Sequence, residues 1–296
     1  MEFGIRTTRV RAFAKINLSL RVFAVRPDGY HELRTVFQSI ALHDTLHVRA
    51  ARGAFAITCN DPACPIDSSN FVSRAAHAVW KAAGRRGSPR DVVVRLQKRI
   101  PISAGLGGGS SDAAAALRAF TRLWKLDRSR LPALAASLGA DVPFFLAGGT
   151  ALGVERGDLL FQLVDRPARW VTLVIPRFGV RTPDAYAWLD RDRAAVNVSH
   201  RITRSRQQKA WPTGDCGNDL QPSVARRHPE IARIVAALRR AGAGHALMSG
   251  SGSAVFGLFE RRSDAARAAD VLATDGRRCI VTRTLDRHAF ARLAGN

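Results

Sequence analysis

The sequence predicts an α+β protein of two domains, with the boundary between residues 155 and 170. Three observations predict it. The segment Arg11 to Arg21 alternates with period two, as a half-buried strand does. A β-branched run, Asp91 to Leu96, passes through a cluster of four glycines directly into an alanine-rich helix from Asp112 to Trp124. The last third alternates helical and extended patterns without an internal repeat, and 296 residues with 46% hydrophobic content suffice for two cores.

In chain order, Ala14, Ile16, Leu18 and Leu20 form one face of the first strand, and Lys15, Asn17, Ser19 and Arg21 the other. Pro27, Asp28 and Gly29 mark a tight turn. Leu33 to Leu42 and Thr45 to Val48 read as two strands around a turn at His43 and Asp44. Phe71 to Ala83 is an amphipathic helix begun by the capping cluster Ser68, Ser69 and Asn70. Leu131 to Leu138 is a helix stopped by Gly139, and Val171 to Ile175 a strand stopped by Pro176. Asp190 to Gly217 is polar, arginine-rich and nearly without apolar period, which predicts a mobile loop. Helix (Pro229 to Ala241), strand (Ala246 to Met248), strand (Ala254 to Phe259), helix (Ser263 to Leu272) and strand (Cys279 to Leu285) follow.

Composition excludes several classes. No apolar run approaches the ~20 residues that cross a bilayer, and residues 1–11 lack the apolar core of a signal peptide, which predicts a cytoplasmic protein with no membrane partner. Cys59, Cys64, Cys216 and Cys279 form no CxxC pair, so neither a zinc site nor a redox motif is signalled. The net charge of +22 comes from 41 arginines and 5 lysines spread along the whole chain. Such charge draws polyphosphates and nucleic acid alike. The arginines do not interleave with exposed aromatics as in a single-strand-binding platform, so a basic nucleic-acid-binding protein is the second reading, and capture of a small polyanion the first.

The strongest local signal is Pro101 to Asp112, with glycines at 105, 107, 108 and 109 and serines at 110 and 111. Glycines let backbone approach a bulky anion, and the two serines stand where a helix N-cap belongs, so free amides and the helix dipole converge there. A Walker loop needs a lysine before its Ser or Thr, and the dinucleotide fingerprint needs glycine at 110; neither is present. Phosphoryl transfer also needs charge neutralisation and a proton acceptor. Lys15, on the polar face of the first strand, and Asp141, between apolar neighbours before Pro143, are the candidates. Each has a plainer reading on its residues alone: a solvated strand lysine, and a turn aspartate.

The run from Pro101 through Gly105, Leu106, Gly107, Gly108, Gly109, Ser110 and Ser111 resembles the second motif of the GHMP kinases. Ala14 to Leu18, Gly139 to Phe145 and Asp28 to His31 resemble segments of the diphosphocytidyl methylerythritol kinases within that superfamily, and Met248 to Ala254 resembles the third GHMP motif. The resemblance implies a two-domain GHMP kinase fold with the active cleft between an ATP-binding domain, residues 1–160, and a substrate-binding domain, residues 161–296. It implies that Pro101 and residues 105–111 hold the phosphates of ATP, with Mg²⁺ arriving on ATP and Ser111 as a candidate contact. It makes Asp141 the base that takes the hydroxyl proton, with Lys15 activating it and orienting the acceptor. Tyr30 and Tyr186 would sandwich a cytosine whose edge His31 reads, Asn17 would touch the methylerythritol end, and Ser249 and Gly250 would lie by the transferred group. The substrate implied is cytidine diphosphate methylerythritol, with no protein partner; homoserine and mevalonate kinases are the sister alternatives. Val154 to Asp158 departs from the family's Gly-x-Gly-Glu run, and Arg191 to Arg206 matches no family pattern.

Overall fold

The computed structural model describes residues 7–195, 217–274 and 276–295. Two antiparallel strands, β1 (Thr7–Val25) and β2 (His31–Ala54), carry the first sheet. β2 is long enough that β1 runs along one edge while two further strands share the other. β4 (Arg90–Gln97) pairs with residues 45–54 of β2, and β5 (Thr150–Glu155) with residues 33–38. β3 (Ala56–Cys59) and β6 (Leu159–Gln162) extend the sheet outward. The helices α1 (Phe71–Ala82), α2 (Gly108–Leu123), α3 (Leu131–Leu138) and α4 (Phe144–Ala147) bury their apolar stripes against it. Ala113 to Ala116 are wholly buried, and their small side chains let α2 approach its neighbours closely.

The second sheet orders its strands β10-β7-β9-β8: β7 (Trp170–Ile175), β8 (His245–Met248), β9 (Val255–Phe259) and β10 (Arg278–Arg283). Around it lie α5 (Thr182–Ala195), α6 (Gln221–Arg227), α7 (Glu230–Arg240) and α8 (Arg262–Leu272). A shared apolar cluster joins the sheets: Ala14, Ile16, Ile40 and Leu106 meet Val171, Leu173, Leu247 and Phe256. The last helix, α9 (Arg287–Ala294), returns to the first sheet, where the rings of Phe290 and Phe13 lie 5.5 Å apart.

Four expectations are corrected. His43 and Asp44 do not turn the chain but lie inside β2, because the wholly buried Asp44 carboxylate is satisfied across the sheet by Lys98 Nζ and the amides of Arg99 and Ile100. The first strand is not half-buried: Lys15, Asn17 and Ser19 are as enclosed as the apolar face, which is the signature of a polar side turned into a site. The helix expected from Asp112 begins at Gly108, four residues earlier. The expected loop from Asp190 is helical, as part of α5, through Ala195; residues 196–216, Cys216 among them, lie outside the described residues. Of the capping cluster before α1, Asn70 performs the task, its Oδ1 accepting from the Val72 amide at 2.7 Å.

Candidate active site

The glycine loop is shaped by backbone that only glycine adopts comfortably. Gly107, at φ 71°, is the N-cap of α2 and makes no side-chain cap, so the expected serine capping is replaced by a bare backbone turn. A Cβ there would lie 2.6 Å from the Phe145 ring. Gly105, at φ 74°, passes so close to the turn after β8 that a Cβ would stand 2.1 Å from the Ser249 carbonyl oxygen. Ser249 Oγ donates to Gly105 O at 2.9 Å, and the Ala254 amide to Ala104 O at 3.2 Å. The amides opening α2 have no carbonyl one turn earlier to bond, and they carry the positive end of the helix dipole. This end faces a cavity of about 1010 Å³ lined from both sheets' layers.

Two of the predicted serines have other tasks. Ser111 does not line the cavity; its hydroxyl is buried and donates to Phe13 O at 2.6 Å, leaving Ser110 as the serine that faces inward. Ser249 likewise braces the loop from behind, whereas Gly250 and Ser251 line the cavity. Asn218 holds that turn by donating to Met248 O and Gly250 O at 2.8 and 2.7 Å.

β1 delivers Lys15 and Asn17 to the cavity, and a chain of hydrogen bonds fixes both. Lys15 Nζ donates to Asn17 Oδ1 at 2.7 Å, Asn17 Nδ2 to Thr35 Oγ1 at 2.7 Å, and Thr35 Oγ1 to Ser19 O at 2.8 Å. The ammonium lies 5.3 Å from the Phe37 ring centre and 3.5 Å from Asp141 Oδ2. Asp141 stands in the turn between α3 and α4, one-third exposed, and its exposed part opens into the cavity. The Lys15 amide also donates to Leu106 O at 3.0 Å, which ties the lysine's own backbone to the glycine loop.

At one end of the cavity stand Tyr30, His31 and Tyr186. The Tyr186 ring stacks on His31, centres 5.2 Å apart at 23°, while Tyr30 is 58% exposed beneath the Arg156 guanidinium. Burial, and secondly the charge of Asp141, pushes the Tyr186 phenol well above its ordinary range, so this end adjoins the acid.

The opposite end, lined by Cys64, Pro65, Asn70, Phe71, Lys98 and Asp112, contains residues that the sequence reading missed. Lys98 Nζ donates to Asp112 Oδ2 at 2.7 Å and also pairs with Asp44, and Asp112 Oδ1 is buried without a partner. A lysine immediately before the loop, one of only five, was the available signal. Burial, and also the like charge of Asp44, pushes the Asp112 carboxyl up to about 8 against the pull of Lys98. The folded protein therefore holds a proton that an unfolded carboxylate has released. Stability is expected to fall as pH rises toward 8, by up to roughly 1.4 kcal/mol per pH unit for one proton. The half-buried histidines His43 and His245, whose pKa is lowered mainly by desolvation, act in the opposite sense below about pH 6.5. Urea unfolding between pH 6.5 and 8 should show the decline, and Asp112→Asn should flatten it.

Residues 70–149 match the GHMP kinases N-terminal domain model and residues 207–278 the GHMP kinases C-terminal model. The chain is similar to 4-diphosphocytidyl-2-C-methyl-D-erythritol kinase of Solibacter usitatus, 44% identical over 91% of this chain and 87% of that one. A crystal structure of 4-(cytidine 5'-diphospho)-2C-methyl-D-erythritol kinase superposes with a TM-score of 0.75 at 36% identity, covering 94% of this chain and 99% of the other. A mevalonate kinase structure, at 13% identity with a TM-score of 0.66 over 94% of this chain and 99% of its own, shares the fold alone. By its two matched domains and its identity to such relatives over nearly its full length, the chain belongs to the 4-diphosphocytidyl-2-C-methyl-D-erythritol kinases, a branch of the two-domain α+β GHMP kinases.

Proposed function

We propose that this kinase transfers the γ-phosphoryl group of ATP to the 2-hydroxyl of 4-diphosphocytidyl-2-C-methyl-D-erythritol, in the cytoplasmic, non-mevalonate route to isoprenoid precursors. One observation carries the reading: a single cavity holds the amide-rich glycine loop, the Lys15–Asp141 pair beside it, and the aromatic group of Tyr30, His31 and Tyr186 at one end. A nucleotide's phosphates suit the loop, where positive φ and close packing leave room for backbone alone. The base of ATP fits the end lined by Pro65, Asn70, Phe71 and Lys98, which offers apolar walls and hydrogen-bonding groups.

The acceptor hydroxyl would be set against Asp141, whose carboxylate takes its proton while the oxygen attacks phosphorus in line. Lys15 holds the carboxylate in position and keeps positive charge beside the reacting oxygens; Asn17, locked by its hydrogen bonds, presents a fixed polar edge to the acceptor. Among the described residues no three His, Cys, Asp or Glu side chains cluster as a metal site, so magnesium would be carried on the phosphate oxygens, with Ser110 the serine placed to assist. Its contribution when bound is neutralisation of phosphate charge. Residues 1–160 in this reading bind ATP and residues 161–296 supply Tyr186 and the glycine–serine turn.

The test is ADP release coupled to oxidation of a nicotinamide reporter, with the cytidyl substrate, homoserine and mevalonate offered in parallel. Turnover of the cytidyl compound alone is expected. Phosphorylation of homoserine or mevalonate in its place would overturn the substrate.

A further inference from the structure

Two thiols that phosphoryl transfer does not use meet at the end of the cavity assigned above to the base of ATP. Cys59 closes β3, where its backbone is paired with Leu96 of β4. Asn60 to Ala63 then turn the chain, the Cys64 amide donating to Asp61 O at 3.1 Å, and Cys64 returns to line the cavity. The Asp61 amide donates to Cys59 Sγ at 3.5 Å, and the Cys64 thiol shares a side-chain hydrogen bond with that of Cys59. Both side chains are half-buried against the first core, and both are free thiols. Their spacing is not CxxC, so a turn and not a motif brings the sulfurs together.

We infer that Cys59 and Cys64 are a site of reversible oxidation, at which a small dialkyl disulfide converts the pair to an internal disulfide and weakens the hold on ATP. The Cys59 thiolate attacks one sulfur of the reagent and expels the other as a thiolate, leaving a mixed disulfide. Cys64 then gives its proton to water, attacks Cys59 Sγ and expels the second reagent thiolate. Two protein thiols are oxidised, and one reagent disulfide is reduced to two thiols that take up the two protons. Cys64 is the resolving partner. Burial, and after it the hydrogen bond and charge of Cys59, push its pKa up, and capture of Cys59 in the mixed disulfide removes the last two causes. Closing the bond brings the sulfurs from hydrogen-bonding reach to about 2 Å. Cys59 is held in the β ladder, so the Cys64 loop is the part that moves. That loop holds Asn70, whose Nδ2 donates to Cys64 Sγ at 3.5 Å and to Pro65 O at 2.5 Å, and Asn70 both caps α1 and lines the cavity. The effect on ATP rests on the base end proposed above.

The experiment treats the kinase with hydroxyethyl disulfide, removes the reagent, and divides the sample. One part is digested without reduction by a protease that cuts before Asp61; the other is titrated with ATP in a calorimeter. The peptides carrying Cys59 and Cys64 are expected to stay joined, and the dissociation constant for ATP to rise at least about threefold, the loss of roughly one hydrogen bond. Dithiothreitol should reverse both. Cys59→Ser, which leaves the cavity lining untouched, should bind ATP as the parent does before and after treatment. A rise that persists in Cys59→Ser places the effect on other cysteines and overturns the proposal, and so do peptides that separate. Joined peptides with an unchanged dissociation constant leave the thiol pair standing and overturn the base end beneath it.

Discussion

Asp141→Asn is expected to lower kcat by about 10²–10⁴-fold, the range over which a positioned proton acceptor contributes, while leaving the dissociation constant for ATP within a few-fold of the parent. Asparagine preserves the volume and the polar contact with Lys15, so the glycine loop, anchored through Leu106 and Ser249, has no reason to shift. Loss confined to the chemical step is therefore diagnostic. Single-turnover phosphorylation separates it from binding. A variant that turns over near the parent rate would remove Asp141 from the reaction and leave the Lys15 pair as a structural contact.

The second large effect concerns stability. Lys98→Met should destabilise the fold by about 3–5 kcal/mol, because it strands the Asp44 carboxylate without its cation, and takes the ammonium from Asp112, in a site with almost no water contact. Urea unfolding measures it. Nucleotide affinity should fall as well. A Cβ on Gly108 would stand 3.3 Å from Lys98 Nζ, so the first residue of α2 rests against this ammonium. An unfolding midpoint that barely moves would show that the surrounding amides of Arg99 and Ile100 carry Asp44 unaided.

What the sequence disclosed was local. Lys15, Asn17 and Asp141 were legible because polar residues in otherwise apolar strands and turns need a reason to be there, and the cavity supplies it. The glycine loop was legible from composition. Its cap was not: glycines argue against helix, and α2 starts among them only because Gly107 turns through a left-handed conformation and the loop is braced from the second sheet. Asp44 was misread for the same kind of reason. Its partner lies 54 residues away, and an aspartate beside a histidine resembles a turn until that lysine is in view. α5, α6 and α9 escaped notice because arginines interrupt their apolar period, and β5 because it is only six residues long; tertiary burial defines them more than period does. Ser111 and Ser249 show that a motif names residues without saying which way they face.

The return of α9 to the first sheet has a consequence for synthesis. Phe13 leaves the ribosome well before Phe290, the ring that covers it. The layer that carries Lys15 therefore keeps an uncovered apolar seam until α9 has been synthesised, and the nascent kinase completes its catalytic half only then.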